Sequence, residues 1–118
     1  MISRYDIKEV SDLWSEHARY ESFLEVELAL LQAWEEQADF VPKGTAAKIK
    51  EIAKVNTERV DEIEKITRHD VIAFCTMISE QVPVELGRWF HFGVTSSDII
   101  DTAMDLQIKR SLKLVEKE

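Results

Sequence analysis

Residues 15–38, SEHARYESFLEVELALLQAWEEQA, carry the clearest pattern in the chain. Tyr20, Phe23, Leu24, Leu28, Leu31 and Trp34 recur at three- and four-residue steps, the spacing that stacks side chains along one face of an α-helix. Glu16, Arg19, Glu21, Glu25 and Glu36 fall elsewhere on the helix and read as solvated charge or as an oligomer interface. Val26 and Leu30 widen the apolar arc, which implies that this helix is contacted on more than one side. The pattern fails at Asp39, and Val41-Pro42-Lys43-Gly44 reads as a turn.

Composition points the same way. In 118 residues there are only 3 Gly and 2 Pro, while 45% of the residues are hydrophobic. Hairpin signals are therefore scarce and a core is affordable, so the expected class is all-α, with length for one core of ordinary size. No stretch approaches the roughly 20 apolar residues of a membrane span, and the start of the chain lacks a signal-peptide pattern. A single cysteine, Cys75, permits no internal disulfide, which leads to the expectation of a cytoplasmic protein. The net charge of −8 argues against general affinity for nucleic acid or anionic membrane. A small anion would need a local cationic pocket, to which Arg4, Arg68 or Arg88 could contribute.

Outward from the long helix, Asp6 and Glu9 have capping-box spacing for a short helix reaching about Trp14, with Arg4 and Tyr5 just outside it. Thr45 is the expected N-cap of a helix holding Ala47, Ile49, Ile52 and Val55, and Asn56-Thr57 breaks and restarts the chain. Thr57 to Ile66 places Val60 and Ile63 on one face. Asp70 is the expected cap of the next helix, whose Val71, Phe74, Cys75, Ile78 and Val82 precede Pro83. Arg88-Trp89-Phe90-His91-Phe92, between Gly87 and Gly93, reads as an extended aromatic connection. A last helix is expected from about Ser97 through Ile100, Ala103, Met104, Ile108, Leu112 and Val115. It has no C-cap, and the chain is expected to be the amino-terminal portion of a longer polypeptide.

Two polar clusters interrupt these helices. Thr67-Arg68-His69-Asp70-Val71 sets a forked cation, a proton-exchanging ring and a carboxylate beside a helix start, where an anion is favoured. The same residues also suit a purely structural role, with Asp70 as cap and Arg68 as surface charge. Thr95 and Asp98 match a capping box. Thr95, Ser96 and the free amides of that helix start would equally suit a carboxylate. No glycine-rich phosphate loop, paired-cysteine motif or His-Glu-x-x-His is present, and His17, His69 and His91 lack matched ligand spacing; no metal site is expected.

Arg4-Tyr5, Glu62-Ile63-Glu64-Lys65 leading into Thr67-Arg68-His69-Asp70-Val71, and Phe92-Gly93-Val94-Thr95-Ser96-Ser97-Asp98 followed by Asp101-Thr102-Ala103 closely resemble the N-terminal part of the bacterial-type adenylosuccinate lyase family. Leu24-Glu25-Val26-Glu27 and Ala33-Trp34 resemble it too. This family belongs to the fumarase and aspartase superfamily, whose members eliminate fumarate from succinyl-bearing substrates. The resemblance implies an enzyme of purine biosynthesis, cutting adenylosuccinate and a related imidazole carboxamide nucleotide without metal or organic cofactor. It implies that Arg4 and Tyr5 contact the substrate phosphate, and that Arg68, His69 and Asp70 line the nucleotide side, His69 in a supporting catalytic role. Thr95 and Ser96 would then donate to a succinyl carboxylate. It further implies residues 1–94 as an N-terminal helical domain and 95–118 as the start of a long bundle helix. The principal acid and base would lie outside this chain, which would be inactive alone, and the full-length protein would be a homotetramer. Two alternatives stay open: another superfamily member acting on a different succinyl or carboxymuconate substrate, and a stand-alone helical interaction module.

Overall fold

The computed structural model describes Asp12 and residues 14–116. The expected short helix after Asp6 lies almost wholly outside the described residues. Those that are described form six α-helices and no strand: α1 (Glu16–Gln37), α2 (Thr45–Ile52), α3 (Thr57–Thr67), α4 (Asp70–Ser79), α5 (Val84–Gly87) and α6 (Ser96–Glu116). The expected all-α class is what the chain adopts.

Helix α1 is the axis of the fold. Ser15 caps it, its side chain accepting the Ala18 N–H at 3.1 Å, and the helix runs unbroken to Gln37 because nothing in that stretch lacks a backbone donor or prefers a turn. Helices α2, α3 and α6 all pack against it, α4 pairs with α3, and α4 also touches α5 and α6. The core seam between α1 and α4 is aromatic. Tyr20 and Phe74 stack at 5.7 Å, and Phe23 stands edge-on to both at 5.5 Å, geometries that the ring quadrupole favours. Val26 is buried and Leu30 half-buried, as expected for a helix covered on several sides.

Three local expectations change. Thr45 does not cap α2: Gly44 holds that position at φ 86°, and Glu35 reaches over from α1. Its two carboxylate oxygens accept the Gly44 N–H at 2.6 Å and the Ala46 N–H at 2.8 Å, satisfying first-turn donors that would otherwise be orphaned. The Thr45 hydroxyl donates to Pro42 O at 2.7 Å instead. The 88–93 segment is a series of tight turns, not an extended connection, with the Phe90 N–H donating to Gly87 O and the Phe92 N–H to Trp89 O. The rings do hold it: Trp89 stacks on Phe40 at 5.7 Å and Phe92 stands edge-on to Trp34 at 5.3 Å. Helix α6 begins at Ser96 and turns Ile99, Ala103 and Gln107 inward. Met104, Ile108, Leu112 and Val115 form a second, exposed stripe, so the single apolar face read from the sequence is two faces.

Replacing Phe74, which is wholly buried, by Ala should destabilise the protein by about 3–5 kcal/mol, read as a lower urea midpoint with little change in slope. Gly93→Ala should also destabilise, since Gly93 sits at φ 72° and an added Cβ would lie 2.8 Å from the Trp34 ring.

Candidate functional site

The junction of α3 and α4 is built by two residues with unusual tasks. Arg68 ends α3 in the left-handed region at φ 56°, its N–H donating to Glu64 O at 2.7 Å. Its guanidinium is exposed and makes no ion pair among the described residues. His69 then turns extended at φ −146°, and its Nδ1 accepts the Ile72 N–H at 3.3 Å. The imidazole, rather than the expected Asp70, is therefore the N-cap of α4. Asp70 is the first helical residue, accepting its neighbour Val71 N–H at 2.8 Å, while its other oxygen is held by Arg19 of α1 at 2.5 Å. With the carboxylate committed to that cation, the ring is the group left to meet the first-turn amide. An accepting Nδ1 places the proton of the neutral ring on Nε2.

Nε2 points to the start of α6. Ser96 Oγ lies 3.3 Å from it, so two of the sequence clusters meet: His69 with Asp70, and Ser96. Thr95 is turned away. Its N–H and its hydroxyl both donate to Asp98 Oδ2, at 2.9 and 3.2 Å, the reciprocal half of a capping box. Arg4 and Tyr5 lie outside the described residues. A concavity of 880 Å³ is lined by Leu24, Leu28, Ala46, Lys50, Val55 and Arg110 among others. None of the His69 cluster lines it.

Two charged elements of this region were not legible as such in the sequence. Arg19, read as solvated charge, lies over the Phe23 ring at 4.9 Å and the Tyr20 ring at 5.6 Å while binding Asp70. The signal was its four-residue spacing to Phe23, which puts it at the edge of the buried stripe. Burial raises the Asp70 carboxyl, but the hydrogen bond and charge of Arg19 outweigh burial and hold it below the usual aspartate range.

The second is Glu27, 1% exposed in the middle of α1. Its Oε2 is hydrogen-bonded to His91 Nδ1 and accepts from Cys75 Sγ at 3.6 Å. Burial raises its carboxyl, and the His91 hydrogen bond and charge only partly offset that. Burial together with the Glu27 charge pushes the Cys75 thiol well up. One ligand atom from each of Glu27, Cys75 and His91 lies within 4.8 Å of the others, a donor set that a zinc-class cation accepts. Here the carboxylate and imidazole atoms already bind one another. The sequence signal was Glu27 itself, an acidic residue between Phe23, Leu24, Leu28 and Leu31 where the helical period calls for an apolar one.

No family model matches the chain. Over all 118 residues it is 42% identical to the adenylosuccinate lyase of Staphylococcus saprophyticus. Along its whole length the chain is therefore similar to an adenylosuccinate lyase. It spans 27% of the length of that lyase. The crystal structure of a fumarate lyase from Mesorhizobium sp. BNC1 superposes on 93% of the chain with a TM-score of 0.82 and 26% identity, again over 26% of the larger protein. In fold the chain is thus similar to a fumarate lyase, and its helices match about a quarter of that protein.

A depressed Asp70 contributes stability above the ordinary aspartate value of 3.8, which is lost as pH falls through its lower folded value. Arg19→Met should therefore be less stable than the parent at neutral pH, and the difference should shrink as pH drops below that value. Urea titrations across the acid range would measure it.

Proposed function

We propose that the chain is the amino-terminal portion of an adenylosuccinate lyase, which eliminates fumarate from adenylosuccinate to leave AMP, and from the succinylated imidazole carboxamide nucleotide of purine biosynthesis. The observation that carries this reading is the identity of 42% maintained along the whole chain. The 3.3 Å approach of Ser96 to His69 supports it, because it brings together residues assigned to the nucleotide side and to the succinyl arm.

The chemistry divides between this portion and the rest. Elimination needs a base for the proton beside a carboxylate, stabilisation of the resulting aci-carboxylate, and an acid for the departing nitrogen. In this reading Arg4 and Tyr5 take the phosphate, and Arg68, His69 and Asp70 line the nucleotide. His69 gives catalytic support through the Nε2–H that its capping role leaves outward. Ser96 and Thr95 donate to a succinyl carboxylate, Thr95 after releasing Asp98. A serine base on a mobile loop and a second histidine acid come from sequence beyond these 118 residues. No metal or organic cofactor takes part.

Residues 1–94 form the N-terminal helical domain and 95–118 open the central bundle of a cytoplasmic homotetramer. The exposed stripe Met104, Ile108, Leu112 and Val115 on α6 supports this division, since a bundle helix needs a second apolar face.

The full-length protein should release fumarate from adenylosuccinate, followed by absorbance, and the 118-residue chain alone should not. In the full-length protein, Ser96→Ala and His69→Asn should each lower kcat/KM by about 10- to 1000-fold. Turnover by the 118-residue chain near the full-length rate would refute the division of labour.

A further inference from the structure

Glu27 stands where packing alone calls for a leucine. A buried carboxylate is costly unless paired, and replacing a buried pair with apolar groups often stabilises a protein, so a carboxylate on the inward face of α1 needs a task beyond stability. Its partner defines the task. His91 lies in the tight-turn segment 88–93 and holds φ 64°, a left-handed conformation that a non-glycine residue keeps only where its surroundings fix it.

The same helix grips the same segment twice more. The Trp34 Nε1–H donates to Phe92 O at 3.0 Å, and the Trp34 ring packs so closely on Gly93 that a Cβ there would sit 2.8 Å from it. Glu27 and Trp34 are two helical turns apart, about 10 Å along one side of α1. They therefore clamp consecutive residues His91, Phe92 and Gly93 against a rigid rod. After Val94, the next residues are Thr95 and Ser96.

We infer that Glu27 is a positioning residue: through His91, and with Trp34, it sets where the Thr95 and Ser96 hydroxyls stand relative to His69, and hence how the carboxylate arm of the substrate is held. The inference rests on the lyase reading above. The groups facing Glu27 are His91 from the turn and Cys75 from α4. Neither belongs to the pair of hydroxyls, so Glu27 acts at a distance.

The test uses the full-length protein with adenylosuccinate and with AMP, which shares the nucleotide but lacks the succinyl arm. Glu27→Met keeps the volume and removes the acceptor, whereas Glu27→Gln keeps an acceptor for His91. Glu27→Met should raise KM for adenylosuccinate by about tenfold or more, leave AMP inhibition unchanged, and be largely reversed in Glu27→Gln. Trp34→Phe, which removes only the indole donor and part of a ring, should shift KM in the same direction by less and covers the case in which Glu27→Met fails to fold. Equal weakening of AMP and adenylosuccinate, or an unchanged KM in the folded variants, would overturn the inference. A parent protein that neither turns over adenylosuccinate nor binds AMP would instead overturn the lyase reading beneath it.

Discussion

The packing of Phe74 against Tyr20 and Phe23 is the contact on which the rest depends. It fixes α4 against α1 along a seam whose three rings are buried, and so decides what the first turn of α4 can reach. Because Tyr20 and Phe23 hold that seam, Arg19 lies across their rings and meets Asp70. With Asp70 engaged, His69 is left to cap the helix, and its other nitrogen is aimed at α6. A hydrophobic decision in the core is thereby converted into the orientation of one imidazole at the surface.

The polar residues of α1 follow a common logic. Glu35 caps α2 and Glu27 holds the turn before α6, while Arg19 engages the start of α4. Each meets an unsatisfied donor or a charge on a different neighbour, so α1 supplies directional contacts as well as apolar surface. Apolar packing tolerates small slips, whereas a short hydrogen bond does not. The helix around which the others gather also sets where their ends lie.

Much of this was legible in the sequence. The six-residue apolar series in α1, the restart at Thr57 and the all-α class follow from periodicity and backbone chemistry, whereas α2 and α4 end at Ile52 and Ser79, earlier than their apolar spacing predicts, and leave Val55 and Val82 outside. The resemblance to a lyase family rested on polar clusters set in register. What periodicity could not give was the partner of each polar residue. Thr45 and Asp70 are good local caps, yet each was displaced by a longer-range arrangement, Glu35 in one case and Arg19 with His69 in the other. A cap statistic weighs neighbours in sequence, and these contacts join different helices. The turns at 88–93 were hidden for a related reason: the left-handed backbone at His91 goes with a bond to Glu27 on another helix, which periodicity does not show.

The capping role of His69 has a further consequence for recognition. An imidazole has two nitrogens, and here one is spent on the Ile72 amide, so a ring of valence one remains. That remaining nitrogen is shared with the Ser96 hydroxyl, so any molecule that engages it must insert between them or recruit both. The geometry thus joins the two side chains into a single polar unit, although 27 positions of chain separate them.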